Sequence, residues 1–140
     1  MGSKILYVVD DDEIFQFMVK KNIKAIDQDI EVITYTDGQK AMNGLKKDCK
    51  ACHIPDIILL DINMPVMDGW QFLDFYDQLK YKIDKDISIY IISSSANPDD
   101  ILRAQEMNDL SGYITKPVSR EELENIIENT PHNYWIVSSA

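Results

Sequence analysis

Basic side chains are scarce in this sequence: 14 Lys and Arg stand against 24 Asp and Glu, a formal net charge of -10 over 140 residues. A nucleic-acid-binding surface draws most of its affinity from Lys and Arg that replace counterions along the phosphates, so no nucleic-acid partner is expected. Long apolar runs are missing as well. No stretch approaches the roughly 20 apolar residues that cross a bilayer, and no short apolar run follows a basic N-terminus in the way of a secretory signal. No membrane partner is therefore expected, and a cytoplasmic location is. Internal repeats, low-complexity tracts and interdomain linkers are also absent, and the length suits one domain able to bury a real core. Met1, Gly2 and Ser3 carry no weight in this reading.

What is present is an alternation of short β-branched runs with longer segments of helical period, the pattern of an α/β fold. "KILYVVD" (4 to 10), "EVITYT" (31 to 36), "DIILLD" (56 to 61), "ISIYIIS" (87 to 93) and "SGYIT" (111 to 115) are five strand candidates. The middle ones are too apolar for a face exposed to water, which predicts a parallel sheet covered on both sides. Phe15, Met18, Val19, Ile23 and Ile26 recur at helical spacing, as do Phe72, Phe75, Tyr76 and Leu79, and then Leu123, Ile126 and Ile127. These stripes are expected in the core. "NPDD" at 97 to 100 offers an N-cap Asn with Pro in the first turn, and "SREE" at 119 to 122 fits a capping box. Right-handed crossovers arrange such units as a doubly wound five-stranded sheet in the order 2-1-3-4-5, with ligands at the carboxyl ends of the strands.

That topology brings acids together. "YVVDDDE" ends the first strand in Asp10 and Asp11, while Asp61 ends the third strand, its neighbour. A single strand-end aspartate caps a helix or faces solvent; three converging on one edge need a positive charge to neutralise them. Oxygen ligands without Cys or His favour a hard cation such as Mg²⁺. Asp12 and Glu13 fit the first turn of the following helix, where the macrodipole favours negative charge.

Residues 56 to 69, "DIILLDINMPVMDG", resemble the phosphoacceptor segment of the response-regulator receiver domain. The resemblance covers residues 4 to about 128. It rests on Asp10 and Asp11, Asp61, the "MPVMDG" loop, a hydroxyl after the fourth strand, and "KP" at 116 and 117, all in the family's order. It implies a flavodoxin-like receiver fold in which Asp61 becomes phosphorylated. Asp11 and the main-chain carbonyl of Asn63 join Asp61 as Mg²⁺ ligands, and Asp10 holds the metal through water. Lys116 supplies a second positive charge to the phosphate, and a cis bond precedes Pro117. The chemistry fits these residues: a carboxylate attacks an anionic phosphoryl donor poorly unless a cation screens both charges and aligns them.

Three serines, Ser93, Ser94 and Ser95, stand where the family has one hydroxyl residue. Counting back from Lys116 favours Ser94, whereas the apolar run and the "DD" at 99 and 100 favour Ser93. We take Ser93, which implies one extra residue before the fifth strand. In either register the hydroxyl bonds a phosphoryl oxygen and pulls its loop inward. Tyr113, three residues before Lys116, is an ordinary strand aromatic in the plain reading. In the resemblance it is the aromatic switch, and the readout is the face of the fourth helix, fifth strand and fifth helix.

"CKACH" at 49 to 53 matches the string for covalent c-type haem attachment. Without an export signal or a clear axial ligand, and without a fourth ligand for Zn²⁺, Cys49 and Cys52 are expected in a plain reduced loop. The aromatic end "TPHNYWIVSSA" reads as a short extension (129 to 140) to a single receiver domain with its core at 4 to 128. Trp135 and Ile136 either pack back on the fold or form part of a partner contact.

The expected function is that of a stand-alone phosphoacceptor. It receives a phosphoryl group from a phosphohistidine on a sensor histidine kinase or histidine phosphotransfer protein and signals to a downstream protein target. It is not a metabolic enzyme, and it catalyses only its own phosphorylation and dephosphorylation. A receiver-fold adaptor that works without phosphorylation is the alternative, and the intact acids and lysine speak against it. A Mg²⁺-dependent phosphohydrolase ranks below both, because Asn63 stands where its second acid would be.

Overall fold

The computed structural model of the protein describes residues 4–47, 53–128 and 136–138. The elements run β1 (Ile5–Val9), α1 (Glu13–Ile26), β2 (Glu31–Tyr35), α2 (Gly38–Lys47), β3 (Ile57–Asp61), α3 (Gly69–Leu79), β4 (Ser88–Ser93), α4 (Pro98–Gln105), β5 (Leu110–Thr115), α5 (Arg120–Glu128) and β6 (Ile136–Ser138). A single 3-10 turn, Lys80–Lys82, extends α3. The strands form one sheet in the order β2-β1-β3-β4-β5-β6, and every pair is parallel. The expected five-strand order is therefore present, with β6 added at the β5 edge. An open β5 edge would present unpaired N–H and C=O groups, and this short strand pairs with Gly112, Tyr113 and Ile114 instead.

β1, β3, β4 and β5 are buried along their whole length, as strands covered on both faces must be. Alternate residues feed two cores. Tyr7, Val9, Ile58, Leu60, Ile91 and Tyr113 pack with Ala41 and Leu45 of α2, Phe72 and Tyr76 of α3, and Ala104 of α4. Leu6, Val8, Leu59, Ile92 and Ile114 pack on the other side with Val19 and Ile23 of α1 and with Leu123 and Ile126 of α5.

Helix starts carry the chemistry that the sequence advertises. Asp12 caps α1 by accepting the N–H groups of Ile14 and Phe15. Asn97 caps α4 ahead of Pro98. Ser119 and Glu122 exchange the two bonds of a capping box at the start of α5. A second box, Asp68 with Gln71, opens α3 on a D-x-x-Q spacing that follows the same rule.

Two members of the helical stripes are not core. Met18 is 54% exposed and Phe75 is 45% exposed. At roughly 100° per residue, Met18 lies about 130° from the centre of the buried face set by Gln16, Val19 and Ile23, and Phe75 about 130° from that set by the buried residues of α3. Cys49 and Cys52 lie outside the described residues, as does Trp135; His53 is exposed. No helix among the described residues is long and apolar enough to cross a membrane.

Phe72 and Phe75 separate the two environments cleanly. Phe72→Ala should lose about 3–5 kcal/mol of stability through the cavity it leaves, whereas Phe75→Ala should lose less than about 1 kcal/mol. Urea unfolding of both variants measures this, and equal losses would contradict the burial of α3 described above.

Candidate functional site

β1 and β3 are neighbours in register, Val9 opposite Leu60, so their next residues stand side by side at the carboxyl edge of the sheet. Those residues are Asp10, 1% exposed, and Asp61, 6% exposed. Asp11 stands beside them in solvent, and one carboxylate oxygen from each of the three lies within 4.8 Å of the others. This is the one cluster of its kind among the described residues. An all-oxygen donor set of this size suits a hard divalent cation, with positions left over for other ligands.

Lys116 reaches the cluster from the end of β5. Its Nζ lies 2.6 Å from Asp10 Oδ2 and 3.9 Å from Asp61 Oδ2. The residue is aimed by its surroundings: its backbone N–H donates to the Ser93 carbonyl at 2.8 Å, and its ammonium sits 4.5 Å from the centre of the Phe15 ring. The Lys116–Pro117 bond is cis. Asp10 is held at its other oxygen, Oδ1, by the N–H of Asp12 at 2.9 Å.

Burial raises the pKa of both strand-end acids. Asp61 is pushed up to about 6, first by burial and then by the Asp10 charge, against the pull of Lys116 and the backbone N–H groups of Asn63 and Ile62. Burial raises Asp10 as well, opposed by its bond to Lys116. Without a metal, the pocket thus resists holding two carboxylates ionised together.

The loop after β3 lies close against this edge. Gly69 donates its N–H to the Ile62 carbonyl at 2.8 Å, and a Cβ there would fall 2.5 Å from the Asp61 carbonyl oxygen, so the "DG" glycine is a matter of space. Val66 holds a φ of 67°, where the Met67 N–H donates back to the Pro65 carbonyl at 2.7 Å. A β-branched residue in that conformation is strained. Asn63 is exposed at the start of this loop.

Ser93 is the last residue of β4 and is buried, whereas Ser94 is exposed. The Ser93 Oγ accepts the Ser95 N–H at 3.1 Å. Register explains the conflict in counting. Ile89 pairs with Leu110 but Tyr90 pairs with Gly112, so Ser111 is an extra residue in β5, and Ser93 comes to lie opposite Thr115. Tyr113 is fully buried, and its hydroxyl donates to the Ser95 carbonyl at 2.8 Å. Burial raises its pKa. Among the buried polar residues that the sequence does not single out is Gln16 of α1, whose side-chain amide donates to the carbonyls of Asp10 and Tyr35. Its signal is a polar residue in register with Val19 and Ile23.

The raised pKa of Asp61 has a stability consequence. Its carboxyl titrates near 6 in the fold against an ordinary value of 3.8, so the folded state holds the extra proton between those limits. Stability from this group is greatest at low pH and falls as pH rises through 6. Asp61→Asn should therefore stabilise the metal-free protein by about 1–3 kcal/mol at pH 7.5, and the gain should vanish near pH 4. Urea unfolding in chelator at the two pH values tests this; equal gains at both would remove charge as the cause.

Known proteins share this fold. Residues 6–128 match the family model of the response regulator receiver domain. The sensor histidine kinase CheAY of Helicobacter pylori is 31% identical over 126 residues, covering 90% of this chain and 15% of that protein. The response regulator Rcp1 of Synechocystis is 27% identical over 136 residues, covering 95% and 89%. Among solved structures, a two component response regulator from Cytophaga hutchinsonii superposes with a TM-score of 0.82 at 28% identity, covering 92% of this chain and 97% of the other. The chemotaxis protein CheY4 of Vibrio cholerae gives 0.73 at 25% identity, with 91% and 98% covered. By sequence match and by fold, the chain belongs to the response regulator receiver domain family.

Proposed function

We propose that this protein is a phosphoacceptor: Asp61 takes a phosphoryl group from a phosphohistidine on a sensor histidine kinase or phosphotransfer protein. The observation that carries the reading is the buried pair Asp10 and Asp61 with Asp11 beside it and Lys116 bridging the pair. Such a cluster has an unbalanced negative charge that a divalent cation relieves. In this reading Asp11, Asp61 and the Asn63 carbonyl hold Mg²⁺ directly and Asp10 holds it through water. When bound, Mg²⁺ screens the charge between carboxylate and donor.

The Asp61 carboxylate attacks the phosphorus, an acyl phosphate bond forms, and the phosphorus–nitrogen bond of the donor breaks with its electron pair returning to the imidazole. Lys116, already at 3.9 Å from Asp61, turns toward the new phosphoryl oxygens. A water beside Asn63 later hydrolyses the acyl phosphate. The chain works in the cytoplasm, and a downstream protein reads the face formed by α4, β5 and α5. Incubation with Mg²⁺ and acetyl phosphate should add one phosphoryl group by intact mass, and Asp61→Asn should abolish it while leaving the fold intact. Undiminished labelling of that variant would sink the assignment.

Ser93 is the hydroxyl that bonds the phosphoryl group in this account, because the bulge at Ser111 brings Ser93 to the same level as Thr115 and Lys116 and leaves Ser94 in solvent. Tyr113, through its bond to the Ser95 carbonyl, links that loop to β5. Ser93→Ala should still be phosphorylated, since attack depends on carboxylate and metal, but its amide shifts around Tyr113 on adding beryllofluoride should be small. Ser94→Ala should respond like the unmodified protein. The reverse pattern would give the role to Ser94.

A further inference from the structure

The carbonyl of Asp10 belongs to the peptide that joins Asp10 to Asp11, the two acids of the cluster on β1's side. At this point β1 and β2 have ended, and the Asp10 N–H makes the last sheet bond, to the Tyr35 carbonyl at 3.0 Å. The Asp10 carbonyl continues into the space beyond the strand ends. Gln16 fills that space. It is 8% exposed, and its Nε2 donates at 2.7 Å to the Asp10 carbonyl and at 2.9 Å to the Tyr35 carbonyl. Both hydrogens of one nitrogen are thereby used, and only an amide nitrogen, not an amide oxygen, can face two carbonyls.

We propose that Gln16 is a positioning residue for the metal site, which fixes the Asp10–Asp11 peptide so that Asp11 is presented to the cation in a set orientation. The proposal rests on the Mg²⁺ reading given above. Asp11 is clamped from both directions by the start of one helix. On one side Gln16 grips the carbonyl before it; on the other, Asp12 is bound to the N–H groups of Ile14 and Phe15. Asp11 itself is exposed and is the member of the cluster most in need of such order. Without the amide, the peptide before Asp11 loses the bond at its carbonyl and keeps only the bonds of the Asp10 N–H and of Asp10 Oδ1 on either side, so binding a cation must restore part of its orientation. Residues that orient metal ligands from behind typically change affinity by about 10–100-fold.

A merely structural Gln16 would satisfy two buried carbonyls and do nothing for the metal, and the two roles have different signatures. Magnesium chloride is titrated calorimetrically into the full chain and into Gln16→Met, which keeps the length but has no donor. Thermal unfolding of both is followed in chelator. We expect Gln16→Met to melt lower and also to bind Mg²⁺ about tenfold more weakly. Acetyl phosphate labelling should fall at limiting Mg²⁺ and recover at saturating Mg²⁺. An unchanged Mg²⁺ affinity beside a lowered melting temperature would overturn the proposal. Should Gln16→Met not fold, Gln16→Asn, which retains the amide but is too short to span both carbonyls, is titrated in its place: weakened Mg²⁺ binding supports the role and unchanged binding overturns it. Absence of Mg²⁺ binding in the unsubstituted protein would instead remove the metal reading itself, and this role with it.

Discussion

Two carboxylates that end adjacent parallel strands cannot avoid each other, and the carboxyl edge of this sheet is arranged around that repulsion. The pairing of β1 with β3 fixes the separation of Asp10 and Asp61, and burial removes the water that would screen them. Lys116 offsets part of the charge, and the proton that Asp61 retains up to about pH 6 expresses the remainder. Helix starts contribute as well: Asp12 turns its side chain onto the N–H groups of α1, and its own N–H holds Asp10. A fold that keeps such a cluster gives up stability at the site, a common exchange where groups must stay reactive.

The same edge explains why the loop after β3 has its composition. Gly69 and Gly38 are places where backbones meet: one approaches the Asp61 carbonyl, the other the Met67 carbonyl. Between them Val66 is held at positive φ. This loop is therefore braced at both ends, against β3 and against α2. A rigid wall of this kind suits a site whose acid must not drift when its charge changes.

Most of the fold was legible because its strands are apolar, short and separated by helical periods, and because a parallel sheet leaves few orders open. The acids and Lys116 were legible as a group only through that order, since Asp10 and Asp61 lie 51 positions apart in the chain. Several features were not, the sixth strand among them. The bulge at Ser111 is a matter of strand register, which pattern cannot fix to one residue, and it is what made the serines ambiguous. The exposure of Met18 and Phe75 reflects how narrow a strip of each helix the sheet covers. Gln16 looks like an unremarkable polar residue because its partners are main-chain carbonyls, which leave no trace in composition.

In the proposed signalling, the step from site to surface depends on β4 and β5 sharing one register from Tyr90 and Gly112 to their ends. Ser93 and Thr115 are paired, the Lys116 N–H bonds the Ser93 carbonyl, and Tyr113 bonds the Ser95 carbonyl. Any displacement of the loop at 93 to 95 therefore acts on β5 at two points, one on each side of Thr115. Tyr113 is already buried with its hydroxyl satisfied, so a change of its ring requires that bond to break or move with the loop. β6 adds a constraint on the other edge, since Tyr113 pairs with Val137 and its neighbours Gly112 and Ile114 pair with Ile136 and Ser138. A strand of three residues contributes few hydrogen bonds to that edge. In the proposed signalling event, the β5 edge thus answers to two neighbours: the loop that bonds the phosphoryl group, through β4, and β6.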